Sequence, residues 1–596
     1  NTVLEQGSNT FAVEFTPDAD YKPAKYSLLS SYDTVKFDFT VTYNVKDRSY
    51  IYVSPDGRSY GSGAKDDPVD IYTAVKSAAP GRTILLKGGT YALDKTVIVE
   101  RGVNGTADAK IYMIADPEAA TRPVLDFRGR CAGMILAGDY WYFQGFDVTR
   151  SANAQKGIQV SGSYNTVDNV MTYRNGNTGL QISRYKSTDN WEDWPSHNLI
   201  LNCTSYLNAD AGYEDADGFA AKLTVADGNV FDGCIAAYNA DDGWDLFAKV
   251  ETGAIGRVTI QNSVAFKNGY VLDANGQEVD AGNGNGFKMG GSSISGRHIL
   301  RNSVSFGNKA KGIDSNSCPD IQVYASTSYN NESYNVALYT NDAKNTAFIA
   351  QGILSFKDSA NAAEELIAEQ FKPKGTQETS AYENAANYYW GGENATNSEG
   401  IAAAADWFRN LDMNSAIHGG IHRNANGIIN MNGFLEVTGK VPEGVGARMT
   451  GTASGVITVN TDVDREDNDD NNSGTSSTAA STVDWNDVSN SVQDKVAEMM
   501  KNPAIASVNM NFVCSGEVKV PQNVLNTIKG TKLTVAFHSG NGVALSISGQ
   551  DLKNKDLSKI QNIDLTVDQT SNTIPANVVS AKSGTVNRQL GIRDTG

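Results

Sequence analysis

The phrases "VDNVMTYRN", "ILNCTSYLN", "FDGCIAAYN", "IQNSVAFKN", "LRNSVSFGN" and "VYASTSYN" succeed one another between residue 165 and about residue 340. Each closes on an asparagine: Asn175, Asn208, Asn239, Asn268, Asn308 and Asn330. Self-similar short apolar strands are the mark of a solenoid, because one coil cannot bury its own apolar face and must stack on the next. An Asn returning at one corner fits an amide ladder, in which each side chain satisfies its neighbour and the turn backbone. The interval from Asn308 to Asn330 suits one turn of three short strands, and longer intervals imply loops inserted on one face. Hairpin signals between equal alternating strands are rare here, which disfavours an antiparallel sandwich. The expected fold is all-β, a right-handed parallel β-helix. Ile71, Ala74, Val75 and Ala78 recur at helical spacing ahead of Pro80-Gly81, which predicts a short helix capping the bare N-terminal strand edges.

The flanks have a different character. Residues 1–46 hold alternating segments such as "TVKFDFTVTY" and are expected to be a sandwich remnant or an extension. Residues 47–448 would form the β-helix and 449–480 a terminal strand with an acidic, Ser/Thr-rich linker, "DREDNDDNNSGTSSTAA". That linker lacks the Gly and closing Glu of an EF-hand loop, so solvation explains its aspartates better than calcium does. Residues 481–596 are expected to be a small α+β accessory domain with a helix at "VSNSVQDKVAEMM" and a hairpin in "TKLTVAFHSGNGVALSISG". It resembles modules appended to bacterial surface and secreted proteins.

The formal net charge of −18 excludes nucleic acid or another polyanion held by bulk charge, so an acidic ligand needs a local lysine or metal ion. The cysteines show no zinc spacing. Cys203 and Cys234 occupy equivalent positions in successive repeats. With coils about 4.8 Å apart, they are placed equally well for a bridge or for two buried thiols. No apolar run approaches the roughly 18 residues of a membrane span. The sequence starts at Asn1, which fits a removed signal peptide without establishing one. A monomer, secreted or displayed on a bacterial surface, is expected.

A second repeat follows the ladder residues: "TGLQ" (178–181), "DGFA" (217–220), "DGWD" (242–245), "NGFK" (285–288) and "KGID" (311–314). Stacking of coils would make one column of Asp217, Asp242 and Asn285. A second column would hold Ala220, Asp245, Lys288 and Asp314. If Phe219, Trp244 and Phe287 point inward, the second column faces out. Asp217, Asp241, Asp242 and Asp245 then converge on two coils. A turn explains one Asp before Gly but not Asp241 and Asp245 as well. Four close carboxylates repel unless neutralised, and oxygen-only ligation suits Ca2+. Lys288 would lie one coil beyond Asp245, in a strand otherwise without charge. A calcium ion that neutralises a sugar carboxylate and an amine that removes the adjacent proton suit β-elimination from a uronate polymer.

In combination "ADGFAAK", "NADDGWDLF" and "NGFKMGG" resemble the motifs of polysaccharide lyase family 9, the calcium-dependent pectate lyases, over about residues 48 to 445. The resemblance implies calcium ligation by Asp217, Asp241, Asp242 and Asp245, with Lys288 as catalytic base. It implies a pectic substrate, polygalacturonate or, as in some relatives, rhamnogalacturonan. "VLDANGQEVDAGNG" ahead of Lys288 looks loop-like. Lys222, two residues past Ala220, and Arg184, after "TGLQIS", are candidate contacts to polymer carboxylates. A β-helix glycoside hydrolase using an acid pair from "ADDGWD" is an alternative, but it leaves Lys288 without a role. None of His197, His298, His418, His422 and His538 sits in a Gly-His-Gly phrase. A non-enzymatic adhesin would need no acid cluster beside a lysine.

Overall fold

The structure, a computed structural model, describes residues 7–15, 35–43, 49–341, 347–358, 368–370, 386–389, 397, 399–457 and shorter segments within 492–594. It separates into two compact units, one built on residues 1–106 and 110–455, the other on 107–109 and 456–596.

The first unit is a parallel β-helix. Three sheets of eleven, ten and ten strands run the length of the coil. They begin at Tyr50–Val53, Gly89–Ala92 and Val97–Val99 and end at Ile349–Gln351, Leu354–Phe356 and Ala368–Gln370. Consecutive coils pair in register, so equivalent residues stack. The inward side chains fill one continuous core. Within it Phe219, Trp244 and Phe287 stack at centroid separations of 4.9 and 4.8 Å, an offset arrangement that adds attraction beyond area burial. The predicted helix is Ile71–Lys76, with Asp70 accepting from the Thr73 amide and Ile71, Ala74 and Val75 buried against the first coils.

The amide ladder runs Asn175, Asn208, Asn239, Asn268, Asn308, each donating to the next at 2.9–3.0 Å. Its sixth rung is Asn331, at 2.8 Å from Asn308, and not the expected Asn330. The residue before each rung is left-handed: Arg174, Leu207, Tyr238, Lys267 and Gly307 lie at φ 54–59°, and Asn330 takes this place at φ 46°. Asn tolerates that conformation better than most residues, so the Asn-Asn pair divides the two tasks. A second ladder of Asn165, Asn198 and Asn229 stands at another corner. Further along the coil His298 takes over that duty, accepting the Val258 amide at Nδ1 (3.1 Å). Cys203 and Cys234 are free, buried thiols, each donating to a carbonyl of an adjoining coil.

Residues 403–449 cover the outer face of the second sheet and close a separate apolar core around Phe266, Phe306, Tyr329 and Phe434. The segment 458–463, into which the expected terminal strand would run, lies outside the described residues; residues 451–457 form no strand. They are held instead by side chains of the first sheet, with Thr452 and Ser454 donating to Asp232 and Asp168. The acidic linker 464–480 lies outside the described residues. In the N-terminal segment Gly7–Phe15 pairs antiparallel with Val35–Tyr43. The second unit contains two three-stranded sheets and the helix Gln522–Ile528. Its hairpin pairs Leu533–Ser539 with Ala544–Ser548, and 492–493 and 495–497 are helical within the predicted 488–500 segment.

Candidate active site

The residue-Gly phrases sit where the chain passes over the amide ladder. Neither Gly218 nor Gly243 has a positive φ, so turn geometry does not require them. Close approach does. A Cβ at Gly218 would stand 2.7 Å from Asn239 Nδ2, and one at Gly243 would stand 2.5 Å from the Gly286 carbonyl and 2.8 Å from Asn268 Nδ2. The aspartate before each glycine is thereby pinned to a rigid corner.

Register then builds the site. Phe219 pairs with Trp244 and Phe287, and Ala220 with Asp245, Lys288 and Asp314. Since all three aromatics are fully buried, the second column lies on the outer face. Asp217, Asp242 and Asp245 bring one carboxylate oxygen each within 4.8 Å of one another. Asp241 is buried beside this triad but outside it, accepting the Asn283 amide at 3.2 Å. Lys288 Nζ lies 2.9 Å from Asp242 and 3.5 Å from Asp245, and 5.7 Å above the Phe247 ring.

Two neutral neighbours complete the first column. Thr178 donates to Asp217 (3.1 Å) and Asn285 Nδ2 to Asp242 Oδ1 (2.8 Å). Asn285 is the expected third member of that column, whereas Thr178 in "TGLQ" is a neutral side chain that gave no reason to single it out. The segment ahead of Lys288 is a hairpin rather than a loop, with Tyr270–Leu272 paired to Glu278–Asp280. Asn275-Gly276, with Gly276 at φ 76°, makes its turn. The segment that follows its return strand delivers the Asn283 and Asn285 amides to Asp241 and Asp242.

Lys222 points into the cage, 2.7 Å from Asp217 and 2.9 Å from Asp245. Arg184 is half-buried one coil away, and its guanidinium makes no ion pair among the described residues. Asp314 pairs with Lys311 at 3.0 Å.

The electrostatics reflect crowding. Burial, with Asp245 and Asp242 adding to it against Lys222, pushes the Asp217 carboxyl up to about 7. Burial, Asp242 and Asp217 push Asp241 up to about 9. Burial acts the same way on Asp245, but Lys222 and Lys288 outweigh it and hold that carboxyl low. Burial alone would lower Lys288, yet Asp242, Asp245, Asp217 and Asp241 hold its ammonium well above the ordinary lysine range. Asp242 Oδ2 is buried without a well-formed hydrogen bond, its counter-charge being Lys288 at 2.9 Å. A cluster of hard oxygen donors carrying such an oxygen, and acids pushed toward neutrality for want of positive charge, fits a metal ion held by Asp217, Asp242 and Asp245.

Comparison with known proteins agrees with this geometry. A family model described as the Pel9A-like, right handed beta helix region matches residues 51–346. The chain is 42% identical over 358 residues to pectate lyase L of Thermoclostridium stercorarium, covering 60% of this chain but 28% of that longer protein. It is 40% identical over 414 residues to pectate lyase L of Paenibacillus polymyxa, covering 68% and 84% of the two. The crystal structure of pectate lyase Pel9A superposes with a TM-score of 0.50 at 30% identity, covering 69% of this chain and 93% of that one. A rhamnogalacturonan lyase shares the fold, with a TM-score of 0.52 at 21% identity and coverage of 67% and 99%. This chain therefore belongs to the Pel9A-like family of right-handed β-helix proteins, polysaccharide lyase family 9.

Proposed function

We propose that the protein is a pectate lyase that cleaves polygalacturonate by β-elimination, with Asp217, Asp242 and Asp245 holding Ca2+, Asp241 beside them as a fourth acid, and Lys288 as base. The observation that carries this is a lysine Nζ 2.9 Å from one carboxylate of a buried three-carboxylate cluster, on the outer wall of the coil. Names of relatives, pectate lyase L among them, support the same substrate.

A calcium ion in the cage would neutralise the sugar carboxylate and stabilise the charge that develops as the C5 proton leaves. Lys288 stands on the adjoining coil, where its free amine can take that proton. Loss of the C4–oxygen bond then yields an unsaturated sugar. Thr178 and Asn285 hold two of the carboxylates by hydrogen bonds and keep the cage in shape. The surrounding aspartates hold the Lys288 ammonium above the ordinary lysine range, and a cation in the cage would oppose that pull.

Unsaturated product absorbance from polygalacturonate, with and without chelator, tests the proposal. Product should form with calcium, disappear with chelator, and form faster toward alkaline pH as the base deprotonates. Product that survives chelation would overturn the metal assignment. Product from rhamnogalacturonan alone would overturn the substrate. A polymer of this kind is met outside the cell, which supports a secreted or surface location.

A further inference from the structure

The column that supplies Asp217 and Asp242 does not end with them. Strand register places Lys156, Thr178, Asp217, Asp242, Asn285 and Lys311 at the same point of six successive coils. The pattern of charge is a cation at each end and acids in the middle, yet the two cations differ. Lys311 is already engaged, 3.0 Å from Asp314 and 5.4 Å over the Tyr339 ring. Lys156 is half-buried and its ammonium makes no hydrogen bond or ion pair among the described residues. Burial and the repulsion of Lys222, against a weaker attraction from Asp215, hold that ammonium below the ordinary lysine range. A partly desolvated cation with no internal counter-ion is a strong binder of an external carboxylate.

We propose that Lys156 binds a second carboxylate of the uronate chain, on a sugar other than the one at the cage, and so selects for an unesterified run of acidic sugars. This rests on the pectate lyase reading of the same site. Two coil spacings of about 4.8 Å separate the backbones at Lys156 and Asp217, so the ammonium is offset along the coil axis from the carboxylate triad, the direction in which a polymer lying on the wall would run. The carboxylate at Lys156 therefore comes from another residue of the polymer. Since Lys311 is neutralised and Lys156 is not, binding extends from the cage toward the N-terminal coils.

The test compares the full chain with Lys156→Gln and Lys156→Arg on polygalacturonate, on oligogalacturonides of increasing length and on highly methyl-esterified pectin, with calcium present. For Lys156→Gln, KM on the polymer should rise roughly tenfold or more, the cost of one charge-assisted hydrogen bond, with kcat little changed. Lys156→Arg should recover most of the loss. The penalty should vanish on the shortest oligomer cleaved and shrink on esterified pectin, where no carboxylate is available to the ammonium. An unchanged KM, a loss equal at every chain length, or a loss confined to kcat would overturn the subsite. A parent chain that makes no unsaturated product would instead sink the lyase reading, and the subsite with it. An active parent with an unaffected variant sinks Lys156 alone.

Discussion

The two amide ladders are built alike and do different work. In both, a left-handed residue precedes each rung, as Tyr238 precedes Asn239 and His197 precedes Asn198. In both, rungs accept a backbone amide from the coil before, but the onward side-chain bond is continuous only in the first ladder; in the second Asn198 donates to Asn229, while Asn165 and Asn229 turn back to carbonyls. Only the ladder of Asn239 and Asn268 lies under the glycines that follow Asp217 and Asp242. The other is overlaid on its outside by a stack of Tyr140, Tyr164 and His197 at 4.9 Å spacing, and among the described residues no carboxylate triad stands beside it. A corner that needs to be rigid for folding is also a place where charged groups can be held against their own repulsion.

The sharpest way to break the comparison is at the wall itself. Lys288→Ala should lower kcat/KM by about 10²–10⁴-fold, the usual worth of a general base, without lowering thermal stability. A variant retaining parental turnover would remove the site from this wall. Next come matched ladder changes. Asn239→Ala and Asn198→Ala each strand buried amides, and both should cost about 3 kcal/mol in denaturant titration. Only Asn239→Ala should lower kcat/KM further, roughly tenfold, by loosening the corner under Asp217. Equal activity in the two folded variants would show that the ladders are interchangeable.

A smaller effect sharpens the second ladder. Burial pushes the His298 imidazole down to about 4, against a weak pull from Asp320. The folded chain therefore binds this proton less readily than the unfolded one. Stability is fully present above the ordinary histidine value and is lost as pH falls toward 4, amounting to about 2 kcal/mol between pH 7 and 5. His298→Asn, which supplies another amide rung, should flatten that slope. An unchanged slope would place the acid sensitivity elsewhere. The smallest effect is at the coil end, where Asp70→Ala should cost about 1 kcal/mol by removing the helix cap.

The coil and its wall were legible because they rest on periodicity. Phe219, Trp244 and Phe287 share one phrase, and once they are buried the outward column follows from alternation. Asn330 misled because Tyr329 aligns with Phe306, so Asn330 matches Gly307 and the rung falls one residue later. The second ladder was missed because its rungs open short strands of unlike sequence, and one rung is a histidine. Lys222 looked like a polymer contact. Its ammonium faces the cage because Asp245, from the next coil, pulls it the same way as Asp217, and no local spacing encodes that pull. The segment 451–455 is fastened mainly by the Asp168 and Asp232 side chains, with one backbone bond from the Ser454 amide to Asn426, and such long-range side-chain ties leave no local spacing to read.

Successive rungs beside the cage are separated by 33, 31, 29, 40 and 23 residues, yet every amide-to-amide bond has nearly the same length. The joint at each corner is thus indifferent to how much chain is strung between joints. The longest span, from Asn268 to Asn308, is the one that carries the Tyr270–Asp280 hairpin, tied back to the coil by Glu278 on Tyr238 and Lys267. Natural variation or an engineer can therefore re-sculpt the surface around the wall by lengthening one span, while the carboxylates keep their footing.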